Sequence, residues 1–330
     1  MSISTFIYNN SPVFFQNAFC SLLGKKMVEE RFNDYFFKVL SDLNESQYYT
    51  FDKYMELLLR DLNEAEELLK KSDPIVTHVE SSDWSDREAH FNYYGVLGLQ
   101  ARARLWMNDT EGAMRYAKMV IEAKGEDGTA VFTLATADNY VDRTFYPEHL
   151  CSINQDNFDY QQTGFANSQN LNSYNNRNYS TFVSDLFDGN VNDLRLKQQW
   201  SYLRSYTGQY VRITRKYDDM YPSNSSAARN MPLVRLAEMY LILMEVGTLE
   251  EANVAYETLC AARGVDYVAL TENDRTDRVL MEWIRELIAE GQNFYTYKRF
   301  AVKRMLWQDA ETADCGEEQY VLPLPPSERR

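Results

Sequence analysis

Two stretches of this chain, 139 residues apart, repeat the same helix-turn-helix spacing, and a chain that carries such a pair is constrained toward an α-helical scaffold. In the first, Tyr94, Leu97, Ala101 and Leu105 recur at helical intervals, Asn108-Asp109-Thr110 supplies turn and cap, and Ala113, Ala117, Val120 and Ile121 line a return helix before Gly125. In the second, Leu236, Tyr240 and Met244 lead to a turn at Gly247, and Ala252, Tyr256 and Leu259 follow before Gly264. Leu97, Ala101, Leu105, Ala113, Ala117 and Val120 each have a counterpart at the same offset. A further helix is predicted over 53–71, where Met55, Leu58, Leu62, Ala65 and Leu69 form a stripe that Ser72-Asp73-Pro74 ends. A strongly amphipathic one ends at Gly291. There Val279, Leu280, Trp283, Ile284, Leu287 and Ile288 make the buried stripe, and Glu282, Arg285, Glu286 and Glu290 share the face assigned to solvent. Phe294, Tyr295, Tyr297 and Phe300 follow as a packed exit, and Glu290 is expected to pair with Lys298 or Arg299.

The paired helices, with Ala opening the second of each, resemble a tetratricopeptide repeat, although the Trp and Pro positions of that repeat are not met. Between them lies sequence of another character. Ala130-Val-Phe-Thr-Leu reads as a short strand, and Trp200 to Tyr217 alternates around Thr207-Gly208 as a β-hairpin is expected to. Asn154, Asn157, Asn167, Asn170, Asn172, Asn175, Asn176 and Asn178 crowd a segment with Tyr160, Phe165, Tyr174 and Tyr179, which is loop chemistry at a length associated with binding. The fold class expected is mainly α, with tetratricopeptide-like helical repeats and a long loop-rich insertion containing short β-strands.

Composition narrows the function. A net charge of −15 removes the clustered Lys and Arg that nucleic acid or an anionic bilayer would require. Cys20, Cys151, Cys260 and Cys315 are too scattered for a zinc site, a redox motif or a disulfide framework. No run of about 18 apolar residues is present to span a membrane. Met1 to Phe19 lacks a basic start and an apolar block, and Phe19 before Cys20 does not suit a lipoprotein cleavage site. His78, His90 and His149 form no H-E-x-x-H arrangement, and no G-x-S-x-G elbow or phosphate-binding loop occurs. With 49 Asp and Glu, chance carboxylate pairs are certain, so a glycosidase reading is without support. No catalytic residue, metal ligand or cofactor is expected.

Three segments in order carry a family resemblance: Met231-Pro-Leu-Val-Arg-Leu-Ala-Glu-Met-Tyr-Leu-Ile-Leu-Met-Glu-Val, then Glu282 to Phe300, then Tyr320-Val-Leu-Pro-Leu-Pro-Pro-Ser-Glu. They resemble the SusD/RagB family, with Arg235, Glu238, Tyr240, Glu286, Glu290, Gly291, Phe294, Lys298, Arg299, Pro323, Pro325 and Glu328 in matching places. Leu59-Arg60-Asp61-Leu62 and Ala101-Arg102-Ala103-Arg104-Leu105 look like the family's earlier repeats, so the resemblance runs from about residue 53 to the end. Residues 1–52 do not match, and the usual N-terminal portion with its lipid-bearing Cys is not seen in them.

The resemblance implies one SusD-like domain: a helical repeat part at 53–124, a loop-rich ligand-binding part at 125–230, and a repeat and closing segment at 231–330. It implies a lipid-anchored protein on the outer membrane and cell surface that captures glycan without catalysis. The partners implied are an oligosaccharide and a SusC-like TonB-dependent transporter for nutrient uptake. A peptide-binding member and a helical-repeat interaction scaffold are the alternatives. Sugar rings stack on aromatic planes while their hydroxyls bond Asn, Gln and Arg. On that chemistry the candidate binding residues are Trp200, Tyr202, Arg204, Tyr206, Tyr174, Asn175, Asn176 and Arg177, with Trp84 as a separate candidate.

Overall fold

The computed structural model describes residues 50–78, 87–140, 142–154, 179–204, 210–217, 230–308 and 311–321, and at 179–180, 202–204 and 210–213 the backbone alone. Helices α1 (Phe51–Ser72), α2 (Pro74–Thr77), α3 (Tyr93–Trp106) and α4 (Thr110–Ile121) precede strand β1 (His149–Asn154). Helices α5 (Tyr179–Phe187) and α6 (Leu194–Gln199) lead to strands β2 (Trp200–Arg204) and β3 (Tyr210–Thr214). Strand β4 (Asn230–Arg235) runs directly into α7 (Leu236–Val246), and α8 (Leu249–Arg263), α9 (Arg275–Leu287) and α10 (Asn293–Arg299) complete the series. The fold is mainly α, with helix pairs and a few short strands, as the sequence predicts. It divides into two compact units, one drawn from Met1–Phe132, His149–Asn154 and Asn230–Met239, the other from Thr133–Glu148, Gln155–Arg229 and Tyr240–Arg330.

In the first unit α1 begins where the Thr50 hydroxyl accepts the Lys53 amide, and it ends at Asp73. That carboxylate is fully buried and satisfied. Arg87 donates to it through Nε and Nη2 at 2.9 and 2.8 Å, and the amides of Tyr93 and Ile75 donate at 2.8 and 3.1 Å. Met55 and Leu62 of α1 pack with Val96 and Ala103 of α3. On the other side of α3, a Cβ at Gly95 would stand 2.8 Å from the Cys151 Cβ, and one at Gly98 would stand 2.7 Å from a Val234 methyl. Those glycines let α3 approach an antiparallel ribbon of β1 and β4. Asn92 caps the helix by accepting from the Gly95 amide, and its side-chain amide donates to the Leu150 carbonyl at 2.6 Å. Arg102 is bound bidentately by Glu238, at 2.7 and 2.6 Å, and also donates to the Leu233 carbonyl.

Three local expectations are corrected here. Residues 130–134 are not a strand: Ala130 makes one isolated bridge to Lys124, and Val131 donates to the Ala123 carbonyl, so the chain only doubles back over the end of α4. Residues 231–235, grouped with the helix that follows them, are extended and pair with β1. Pro232 lies opposite Ser152, and a two-stranded ribbon tolerates the missing amide because one edge of each strand is unpaired. Residues 293–299 form a helix rather than an irregular exit.

In the second unit α9 keeps its predicted stripe, with Val279, Trp283, Ile284 and Leu287 buried. Ile284 joins a core of Phe182, Val183, Leu186, Phe187 and Leu196. The opposite face departs from expectation. Glu282, Arg285 and Glu286 are buried too, because partners far away in sequence meet them there. The helix ends at Leu287, before Gly291, and Ala289 and Gly291 then adopt positive φ of 65° and 74°.

Candidate functional site

The β2–β3 hairpin holds the sequence-predicted site residues that fall within the described chain. Trp200 faces Thr214, Tyr202 faces Arg212, and Arg204 faces Tyr210 in an antiparallel register without irregularity. Strand parity puts positions 200, 202 and 204 on one face together with 210, 212 and 214. An aromatic, a guanidinium and a phenol in alternation make a surface that can offer a flat apolar plane and fixed donors to a sugar. Of these side chains the structure describes that of Trp200, which is half-buried. Its indole meets the Phe182 ring edge-on at 4.8 Å, and Phe182 in turn stacks on Trp307 at 5.6 Å. The Trp307 Nε1 donates to Asp185 at 3.1 Å. Tyr206, Tyr174, Asn175, Asn176, Arg177 and Trp84 lie outside the described residues, as does the closing segment beyond Val321.

What holds the hairpin was not foreseen. On the β2 side Trp200 sits among Phe182, Leu280, Met281, Ile288, Tyr297 and Trp307. On the β3 side, Lys216 is fully buried and its ammonium donates to the Glu286 carbonyl at 2.9 Å, the Ile288 carbonyl at 3.2 Å and Glu290 Oε1 at 2.5 Å. Tyr217 donates its hydroxyl to the Ala289 carbonyl at 3.1 Å. Glu290 is therefore paired with Lys216 rather than with Lys298 or Arg299, and Arg299 pairs with Glu245 while lying over the Trp283 ring.

Beneath this lies a buried ionic network. Arg195 reaches Asp193 at 2.7 Å, Glu282 at 2.8 Å and Glu286 at 3.2 Å. Arg263 bridges Glu286 at 2.8 Å and Glu148 at 2.7 Å, and also donates to the Ala135 carbonyl. Arg285 binds Glu282 at 2.6 Å and pairs with Asp188. Burial works against charge on Glu282, but Arg195 and Arg285 outweigh it and hold the carboxyl below the usual range. Burial likewise opposes the charge on Arg195, and Asp193, Glu282 and Glu286 more than restore it. Each acid here is neutralised by a fixed guanidinium, which leaves none poised to transfer a proton.

Other reactive groups are enclosed. Ser152 Oγ lies 2.9 Å from His149 Nδ1, yet both residues are buried in the first unit. Burial pushes the Cys151 thiol up to about 12 and the Cys260 thiol up to about 11, so neither is a thiolate at neutral pH. Among the described residues no group of three or more His, Cys, Asp or Glu could hold a metal ion, and no helix is long and apolar enough to cross a membrane.

The family model of the SusD family matches residues 116–321, which is more than half of the chain. The chain belongs to the SusD family. Solved structures agree on the fold. A SusD superfamily protein from Bacteroides vulgatus is 21% identical with a TM-score of 0.59, the match covering 83% of this chain and 62% of that one. A SusD-like carbohydrate binding protein from the same species is 18% identical at a TM-score of 0.54, over 77% and 52%. A laminarin binding SusD-like protein is 16% identical at 0.51, over 76% and 61%. This chain thus spans about half to three fifths of those structures' length. A search of curated protein sequences finds no match. The SusD-like residues quoted from the sequence now have roles: Arg102 and Glu238 are a bidentate pair, Glu286 is central to the ionic network, and Glu290 receives Lys216.

Proposed function

We propose that this SusD-family chain captures an oligosaccharide without chemically altering it and passes it to a SusC-like TonB-dependent transporter at the outer membrane, where it is lipid-anchored. The observation that carries the reading is the β2–β3 hairpin. Its one-face series of Trp200, Tyr202 and Arg204 is written on a base fixed by an aromatic core and a buried lysine. A rigid base matters because binding loses less free energy to ordering when the contact groups are held beforehand. Tyr206, Tyr174, Asn175, Asn176, Arg177 and Trp84 extend the proposed site from the loop-rich part at 125–230 and from the loop after Pro74. Two of the structural neighbours are described as carbohydrate or laminarin binding, and the neutralised acids and enclosed nucleophiles agree with binding alone.

Isothermal calorimetry against a panel of oligosaccharides and peptides tests the reading. Saturable heat is expected with a glycan, and Tyr202→Ala is expected to weaken it by about 1 kcal/mol or more, the scale of one aromatic stacking contact. Trp200→Ala is a less clean probe, since it also removes a ring from the Phe182 core. Binding of peptides with no glycan heat would move the assignment to a peptide-binding member, and release of shorter sugars would move it to an enzyme.

A further inference from the structure

The segment that most clearly marks the family, Glu282 to Phe300, contains no residue of the proposed sugar site, yet its carbonyls and Glu290 surround the one lysine that follows β3. Lys216 lies two residues beyond Thr214, the position that pairs with Trp200 across the hairpin. Its three N–H donors are all taken: two by carbonyls at the C-terminal end of α9 and one by Glu290. A cation at that end also meets the negative pole of the helix. Neighbouring contacts bracket it. The Arg215 amide donates to the Gln199 carbonyl at 2.6 Å, which continues the hairpin pairing back toward α6, and the Tyr217 hydroxyl donates to Ala289, a residue at φ 65°.

We propose that Lys216 and Glu290 are positioning residues for ligand binding: a buried clamp that fastens the base of the β2–β3 hairpin to the turn after α9, so that the hairpin face is held in one conformation. The inference rests on the glycan-binding reading for its purpose and on the bonds to Lys216 for its mechanism. The turn 288–291 has a conformation that suits this task, because its two positive-φ residues direct successive carbonyls and the Glu290 side chain onto one ammonium. The Glu-Gly pair in the family-like segment is then explained by the hairpin it secures rather than by the end of α9, which stops earlier at Leu287.

Hydrogen–deuterium exchange read by mass spectrometry separates a local clamp from general stabilisation. Lys216→Met and Glu290→Gln are compared with the wild type on peptides covering 200–214, with Leu249–Arg263 as the internal control. Both variants are expected to exchange about tenfold faster in the hairpin, the scale of one lost charge-assisted hydrogen bond, with α8 unchanged. Unchanged hairpin exchange, or an equal rise in both peptides, overturns the clamp. Should Lys216→Met fail to fold, Glu290→Gln decides on the same two peptides. Titration of wild type and Glu290→Gln with laminarin and starch oligosaccharides tests the purpose: about tenfold weaker binding is expected, and unchanged affinity in a variant with a loosened hairpin overturns the positioning role. If the wild type binds none of these sugars while the exchange result holds, the glycan reading fails and the clamp stands.

Discussion

In the first helix pair Ala101, Ala113 and Ala117 are wholly buried, whereas the positions 139 residues later hold Tyr240, Ala252 and Tyr256. The backbones match closely: the second helices begin at Thr110 and Leu249, the same offset, and Asp109 and Thr248 cap them. The chemistry does not match. α3 and α4 use small residues that permit close approach, while α8 ends in Arg263, a fully buried guanidinium shared between Glu286 and Glu148. One spacing thus supports two kinds of interior, one of tight apolar packing and one of paired charge. The difference shows that register specifies where a helix runs, and that side-chain volume and distant partners specify what holds it.

The comparison breaks most severely at the ionic end. Glu286→Ala leaves Arg263 and Arg195 short of a buried partner, and a loss of about 3–5 kcal/mol in urea unfolding is expected, as for other broken buried pairs. Exchanging the two interiors comes next. Ala117→Tyr, which copies the counterpart Tyr256 into the first pair, is expected to cost about 1–3 kcal/mol by overpacking, and thermal unfolding followed by circular dichroism would measure it.

The caps sharpen the comparison with the smallest effects. Thr248→Ala and Asp109→Ala are each expected to cost about 1 kcal/mol at pH 7. The two should diverge in acid. The Gly112 amide holds the Asp109 carboxyl below the usual carboxylate range, with Arg104 adding to it and partial burial opposing it. A depressed folded pKa means that the Asp109 contribution is complete above the unfolded value of about 3.9 and is lost as pH falls through the folded one. Melting temperatures of wild type and Asp109→Ala should therefore converge between about pH 4 and pH 2.5, below that unfolded value.

Legibility followed the range of the interaction. Helix spacing and caps depend on residues three or four apart, so α1, both helix pairs and the apolar stripe of α9 could be read directly. The partners of α9 could not. Glu282 and Glu286 meet Arg195 from 87 and 91 residues away, and a carboxylate at the right helical angle for solvent carries no mark of a distant guanidinium. β1 was missed for the same reason, since His149–Asn154 alternates weakly and its partner begins at Asn230. The hairpin at Trp200 was legible because its strands are neighbours in sequence. Its clamp was not, because Lys216 reads as a surface lysine until Glu290 and the end of α9 are folded beside it.

The central claim is that glycan is gripped by the hairpin and not by the helix pairs. A crystal structure of the chain with a bound oligosaccharide tests it most directly. The account predicts an intact sugar whose ring face lies against residues of 200–214. A sugar seated instead on the helices Tyr93–Ile121, or found cleaved, would contradict it.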